Sequence, residues 1–358
     1  MTNLSGGFFI TLYDEETLKL YLNQGIFGFL MKPTITPSSR SKHYQILSDY
    51  SCSREGSDIF FFLKRKIIYG GKIFGNDNYS SFYINGKNSH LGNKIQAPLF
   101  WDESNRSCYN KTTTEGVFTV RHSEKAQPFI FQFSTNDNTG KYICSDDLYF
   151  ELGNKYRYPL PSNSMQKMGF CTLTPGEVTC LLDLINNSTD KINYNITPEI
   201  TKNGNYETKF DKNLVSLDDS FINEAQLEFT ILSSLEPFKN FLQDNYILCR
   251  QVPLSPFKPM NMDRADICLY NISCPIQNGT IPNIIIELKK EVADKNAYKQ
   301  IIRYLRWLEK ITTPEEFINI KAYIFSKKFS IKNEDIDSKY NNKIKLYSIT
   351  EKSFISIQ

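Results

Sequence analysis

Histidine is scarce in this chain: three occur among 358 residues, at His43, His90 and His122. The eight cysteines, Cys52, Cys108, Cys144, Cys171, Cys180, Cys249, Cys268 and Cys274, form no CxxC pair. Together these gaps argue against a zinc site. The scattered spacing fits reduced, buried thiols instead. No apolar run approaches the roughly 20 residues of a membrane helix, so no membrane partner is expected. Residues 1–16 lack a basic segment followed by a long apolar run, so no signal peptide is expected and the expected location is cytoplasmic. A large excess of charge is missing too: 42 Lys and Arg stand against 39 Asp and Glu, a net charge of +3. A nucleic-acid partner would have to be met by local patches, because the global field is weak.

What is present is ample apolar and aromatic material. Hydrophobic residues make up 40% of the chain, and 26 Phe and 21 Tyr accompany only two Trp. That supports real cores and exceeds what one ordinary core holds at this length, so two domains with a linker are expected. Residues 1–185 read as mixed β and α. Strand-like segments are Gly7–Tyr13, Phe60–Lys64, Ile67–Phe74, Pro128–Phe133 and Asp147–Leu152. An amphipathic helix is expected over Asp14–Asn23, with Leu18 and Leu22 four apart. Thr174, Pro175 and Glu177 occupy the N-cap, N1 and N3 positions of a second helix running to Ile185. Residues 186–218 are polar, lack periodicity and read as the linker, so the two halves are expected to fold separately.

Residues 219–358 change pattern. A helix is expected from Ser220 to about Leu235 and another over Lys295–Lys310. Strands are expected at Ile247–Val252, Ala265–Tyr270, Ile284–Lys289, Ile320–Phe325 and Ile344–Ile349. This order suggests a mixed sheet flanked by helices.

The chemistry concentrates in this second part. On a strand, side chains alternate between faces, so Glu287 and Lys289 share one face while Ile286 and Leu288 take the other. Asp266 lies on the preceding strand, joined to it by the turn-rich stretch Asn271–Asn283. If the strands pair, two carboxylates converge beside one ammonium. Phosphodiester hydrolysis uses such a set: the carboxylates suit a hard cation, Mg²⁺ or Mn²⁺, and Lys289 would orient or help deprotonate the attacking water and stabilise charge in the transition state. An ordinary charged hairpin is the plainer alternative for Glu287 and Lys289 alone. On the helix after that strand, Gln300 and Tyr304 share a face. Lys295, Lys299, Arg303 and Arg306 form a basic stripe able to meet phosphates, although a solvated helix face explains a charge run equally well. Glu224 and Glu228, four apart on the first helix of this part, could each reach a metal or simply be exposed carboxylates.

These residues carry a resemblance. Asn223–Glu228, Arg250–Val252, Arg264–Asp266, Glu287–Lys289 and Gln300–Tyr304 together resemble the PD-(D/E)xK nuclease superfamily. The local pattern is most similar to its mismatch-endonuclease, EndoMS/NucS-like branch. The resemblance spans about residues 220–350. It implies a restriction-endonuclease-like domain in which Asp266 and Glu287 are metal ligands and Lys289 is the catalytic lysine. It further implies Glu224 as the helix carboxylate, with Gln300 and Tyr304 supporting the site and contacting the backbone. Ala265 departs from the superfamily's proline. The Asp266–Glu287 separation implies an extended hairpin.

Residues 57–75, with Pro159–Pro161, Phe170 and Glu177–Ile185, are loosely similar to PUA-like barrels of the EVE/YTH type. That similarity implies an N-terminal β-barrel-like recognition domain with a flipped base held in an aromatic pocket. Phe8, Tyr13, Phe27, Phe29, Tyr69 and Trp101 are the candidate pocket rings; for any single ring, barrel core is the plainer reading. The expected whole is an Mg²⁺-dependent DNA endonuclease acting on double-stranded DNA, with modification-dependent restriction as its sharpest form. The alternatives are a mismatch or structure-specific repair endonuclease with an N-terminal domain for homodimerisation, and a non-catalytic nucleic-acid-binding protein.

Overall fold

A computed structural model describes residues 4–29, 37–75, 81–84, 99–102, 107–110, 129–147, 169–194, 208–209, 221, 223–234, 245–254, 264–332 and 335–355. The protein is mixed α/β, with one curled sheet, a second mixed sheet and helices.

The N-terminal part runs β1 (Gly7–Thr11), α1 (Glu15–Gln24), β2 (Ile26–Gly28), α2 (Pro37–Ser51), β3 (Asp58–Leu63), β4 (Lys66–Ile73) and β5 (Tyr83–Ile84). It continues with β6 (Leu99–Asp102), β7 (Ser107–Asn110), β8 (Phe129–Ser134), β9 (Tyr142–Cys144), β10 (Phe170–Leu173), α3 (Pro175–Asn187) and β11 (Thr208–Lys209). The nine-stranded sheet has the order β10-β1-β3-β4-β8-β5-β11, with β2 on β8 and β9 on β4, while β6 and β7 pair separately. The helix starts follow from capping. Asp14 accepts from the Thr17 amide at the head of α1, and Thr174 and Glu177 form a reciprocal capping box on α3. Gly71, at φ +151°, lies so close to the Ser134 carbonyl that a Cβ would sit 2.1 Å from it. The close β4–β8 approach requires glycine there.

The C-terminal part runs α4 (Glu224–Ser234), β12 (Tyr246–Pro253), β13 (Arg264–Asn271), β14 (Ile284–Ala293), α5 (Lys295–Ile311), α6 (Pro314–Ile318), β15 (Lys321–Phe329), β16 (Ile344–Ser348) and β17 (Ser353–Ile355). Its six strands lie in chain order; β14-β15-β16 pair in parallel and the others antiparallel. A purely β-alternating strand would bury one face, but β14 begins with five consecutive buried residues. Helices on both faces account for this: α4 contributes Leu227 and Ile231 to the core around Ile286 and Leu288, and α5 contributes Ile301 and Leu305 to the core around Ile285.

Several expectations shift. Residues 145–147 are helical rather than strand, and the remainder of the strand expected over Asp147–Leu152 lies outside the described residues. Within the stretch read as linker, α3 extends to Asn187 and Thr208–Lys209 add a strand beside Tyr83–Ile84. The other residues of 195–218 lie outside the described residues. α2 and β17 were not foreseen: among the α2 residues whose burial is described, Leu47, Ser48, Asp49, Tyr50 and Ser51 are buried in succession, which gives no amphipathic period to read.

The two halves share a packed interface. α2 lies against α4, where the Tyr44 and Phe229 rings are 6.0 Å apart. β10 meets β12, with the Cys249 thiol donating to the Leu173 carbonyl. Arg54 donates to the Tyr246 carbonyl at 3.2 Å. A polar linker therefore does not stop the halves from burying surface against one another.

Candidate active site

The site begins with strand register. β13 and β14 are antiparallel with Ile267 opposite Ile286, so one step further along places Asp266 beside Glu287. The ladder opens there. The Asp266 carboxylate takes the position of a backbone acceptor, receiving the Leu288 amide at 2.7 Å through Oδ2. Its Oδ1 receives the Gln251 side-chain amide at 3.1 Å. Glu287 is buried, and its Oε1 accepts from Lys289 Nζ at 2.9 Å. Glu224, at the start of α4 and half exposed, is 4.0 Å from the same ammonium. Asp266, Glu287, Lys289 and Glu224 are thus brought together where the β13–β14 ladder opens.

The electrostatics follow from crowding. Burial pushes the Asp266 carboxyl well above the usual aspartate range, and the charges of Glu287 and then Glu228 push it further. Burial opposes the Lys289 ammonium, yet Glu287, Glu224 and Asp266 outweigh it and hold its pKa above the usual lysine value. Lys289 is therefore a fixed cation at neutral pH, suited to charge stabilisation rather than to taking a proton.

A cleft of about 580 Å³ opens beside Asp266 and Glu224, lined also by Gln45, Asn223, Arg264 and Leu288 among others, while Glu287 and Lys289 lie behind its wall rather than in its lining. Gln45 comes from α2, so both halves form its wall. The donor set is carboxylate oxygen, the kind a hard divalent cation takes. Among the described residues no group of three or more His, Cys, Asp or Glu is gathered to hold a metal. Two carboxylates are enough for Mg²⁺, which keeps several waters. Each Asp266 oxygen that accepts one hydrogen bond retains a lone pair for a cation. Crowded like charges beside an open cleft fit such an ion.

The other expected site residues are placed elsewhere. Tyr304 is buried and donates to the Arg264 carbonyl at 2.9 Å, while Gln300 donates to the Tyr304 hydroxyl at 2.7 Å. The pair braces the start of β13, two residues before Asp266. Lys295, Lys299, Arg303 and Arg306 lie on the exposed side of α5 and do not line the cleft. Lys295 pairs with Asp335 and Arg306 with Asp337. Glu228 is committed to Arg250, which grips it through two bonds of 3.0 and 2.7 Å.

Three of the expected base-pocket rings, Phe8, Phe27 and Tyr69, are buried in the core. Phe8 and Phe27 are buried and pack on neighbouring rings, Phe8 at 4.8 Å from Phe131 and Phe27 at 5.2 Å from Phe170. Tyr69 is buried against Phe60 and donates to Asp58. Phe29 is half-buried on Phe170. Tyr13 is 87% exposed. The side chain of Trp101 lies outside the described residues. Phe8 and Phe27 pack there because the core under this phenylalanine-rich sheet is filled with rings.

Sequence reading missed Gln251, Gln45 and the Arg250 cluster. Arg250 and Gln251 fell within the resemblance but received no role. Gln45 carried no signal, since α2 itself was not foreseen. Comparison with known proteins returns no matching family model, curated protein or solved structure.

Proposed function

We propose that this protein is a metal-dependent nuclease that hydrolyses DNA phosphodiester bonds in the cleft between its halves. The supporting observation is the convergence of Asp266 and Glu287 beside the Lys289 ammonium where the β13–β14 ladder opens. When bound, Mg²⁺ or Mn²⁺ would polarise a phosphate oxygen and acidify a bound water. Asp266 and Glu287 would hold that ion. Lys289, kept protonated by its carboxylate neighbours, would stabilise the charge that grows on the phosphate oxygens in the transition state. Glu224, exposed at the cleft and close to Lys289, would orient water at the site. Gln300 and Tyr304 would act through the backbone of β13 rather than on substrate.

Reading of a flipped or modified base is not part of this proposal, because the buried rings that suggested it pack on one another. The N-terminal half contributes instead to the cleft wall through Gln45. The test is incubation of plasmid duplex, single-stranded DNA and RNA with the intact protein in Mg²⁺, in Mn²⁺ and in EDTA. Cleavage of duplex in either metal, abolished by EDTA, is expected. Undiminished cleavage in EDTA, or cleavage of none of the three, contradicts the reading.

A further inference from the structure

Gln251 sits in the middle of β12, between the ladder pairs Arg250–Ile267 and Val252–Ala265, yet its φ is +53°. A non-glycine residue rarely enters this left-handed region, and it persists there only where the surroundings hold it. Two observations show what holds it and what it does. The residue before it is pinned on several sides. The Arg250 guanidinium is buried, doubly bonded to Glu228 on α4 and bonded to Asp49 on α2 at 3.1 Å. Its backbone amide donates to the Thr172 hydroxyl on β10 at 3.2 Å. Two of these three partners, Asp49 and Thr172, belong to the N-terminal half.

The left-handed turn aims the Gln251 amide at the carboxylates. Its Nε2 is 3.1 Å from Asp266 Oδ1 and 3.5 Å from Glu228 Oε1. The other Asp266 oxygen is fixed by the Leu288 amide. The carboxylate is therefore held by one donor from β12 and one from β14, and it cannot turn without losing one of them. Glycine would satisfy the backbone of position 251 without strain. A glutamine there is explained by its side chain, which is long enough to reach Asp266.

We propose that Gln251 is a positioning residue, through which the N-terminal half fixes the Asp266 carboxylate for the reaction. This rests on the nuclease reading of Asp266. It assigns the N-terminal half a direct part in ordering the site, alongside its Gln45 in the cleft wall.

The experiment compares the intact protein with its Gln251→Gly variant in urea denaturation and in steady-state cleavage of duplex in Mg²⁺. Relief of the left-handed backbone is expected to leave stability equal or raised. Loss of the outer partner of a metal-holding carboxylate is expected to lower kcat by about 10–100-fold, with KM little changed. Gln251→Glu, which places a second negative charge against Asp266, is expected to lower kcat at least as far. A Gln251→Gly variant that keeps kcat within about twofold of the parent overturns the proposal, since outer partners of this kind are worth about tenfold or more. So does a loss confined to stability. If the parent protein cuts nothing, the nuclease reading fails separately, and crystal structures of the two proteins decide the positioning role. A carboxylate displaced in the variant upholds it, and one that stays on the Leu288 amide overturns it.

Discussion

The core under the N-terminal sheet and the opened β13–β14 ladder of the C-terminal sheet both gather residues that suggest function. The first collects Phe8, Phe27, Tyr50, Phe131 and Phe170, rings whose centroids pack 4.6–6.4 Å apart. The second collects Asp266, Glu287 and Lys289. Burying a ring is favourable on its own, so an aromatic cluster needs no further explanation. Burying a carboxylate is costly, and crowding two of them costs more. The aromatic cluster is accounted for by packing, whereas the carboxylates are not accounted for by stability. That asymmetry is what favours the second sheet as the proposed site.

The sharpest way to break this contrast is to neutralise one carboxylate and truncate one ring. Asp266→Asn is expected to lower the cleavage rate by about 10³-fold, as loss of a main electrostatic contributor does. It should leave the urea midpoint little changed, because the crowded buried charge it removes is offset by an amide that can accept from only one of the two donors, Leu288 and Gln251. Phe27→Ala is expected to do the reverse. It should cost about 3–5 kcal/mol of stability and leave kcat unaltered under conditions where the variant is folded. Urea titrations beside cleavage assays read both. A Phe27→Ala variant that stayed stable but lost substrate discrimination would restore the base-pocket reading.

A smaller effect probes the seam between the two regions. Burial pushes Asp49 up to about 7, against the pull of Arg250. The folded protein thus favours the protonated acid more than the unfolded chain does. This stabilisation is fully present below the ordinary value of 3.8 and is lost as pH rises through about 7. Unfolding free energies at pH 5 and pH 8 should show a loss of about 2 kcal/mol from this group. Asp49→Asn should flatten that part of the slope, leaving the parts due to Asp266 and to Glu177, which burial also raises to about 7. An unchanged slope in the variant would place the titration elsewhere.

The smallest expected effect is at Tyr304. Tyr304→Phe removes the hydroxyl that braces the Arg264 carbonyl. About 1 kcal/mol of stability should go with it, and the cleavage rate should fall only a few-fold. A loss as large as that of Asp266→Asn would mean that Tyr304 touches substrate.

Local signals in the sequence carried much of this. The Thr174 capping box, the β-rich run from Ile284 and the period of α5 are each written in neighbouring residues. The Glu287–Lys289 pairing follows from strand alternation alone. Long-range geometry was not legible. The Gln251 contact with Asp266 depends on a left-handed backbone at a residue type that seldom adopts it. The Arg250–Asp49 pair spans 201 residues. Ring placement was also ambiguous, because a pocket wall and a core draw on the same residue types. The basic stripe of α5 showed period but not partner, and Asp335 and Asp337 take two of its cations.

The most direct measurement is a calorimetric titration of Mn²⁺ into the intact protein, its Asp266→Asn variant and its Glu287→Gln variant, with cleavage rates recorded on the same samples. The expected result is one binding event in the parent that either substitution abolishes, together with cleavage. Binding and cutting that survive in either variant would show that these two carboxylates do not share an ion, and would contradict the site assigned to them.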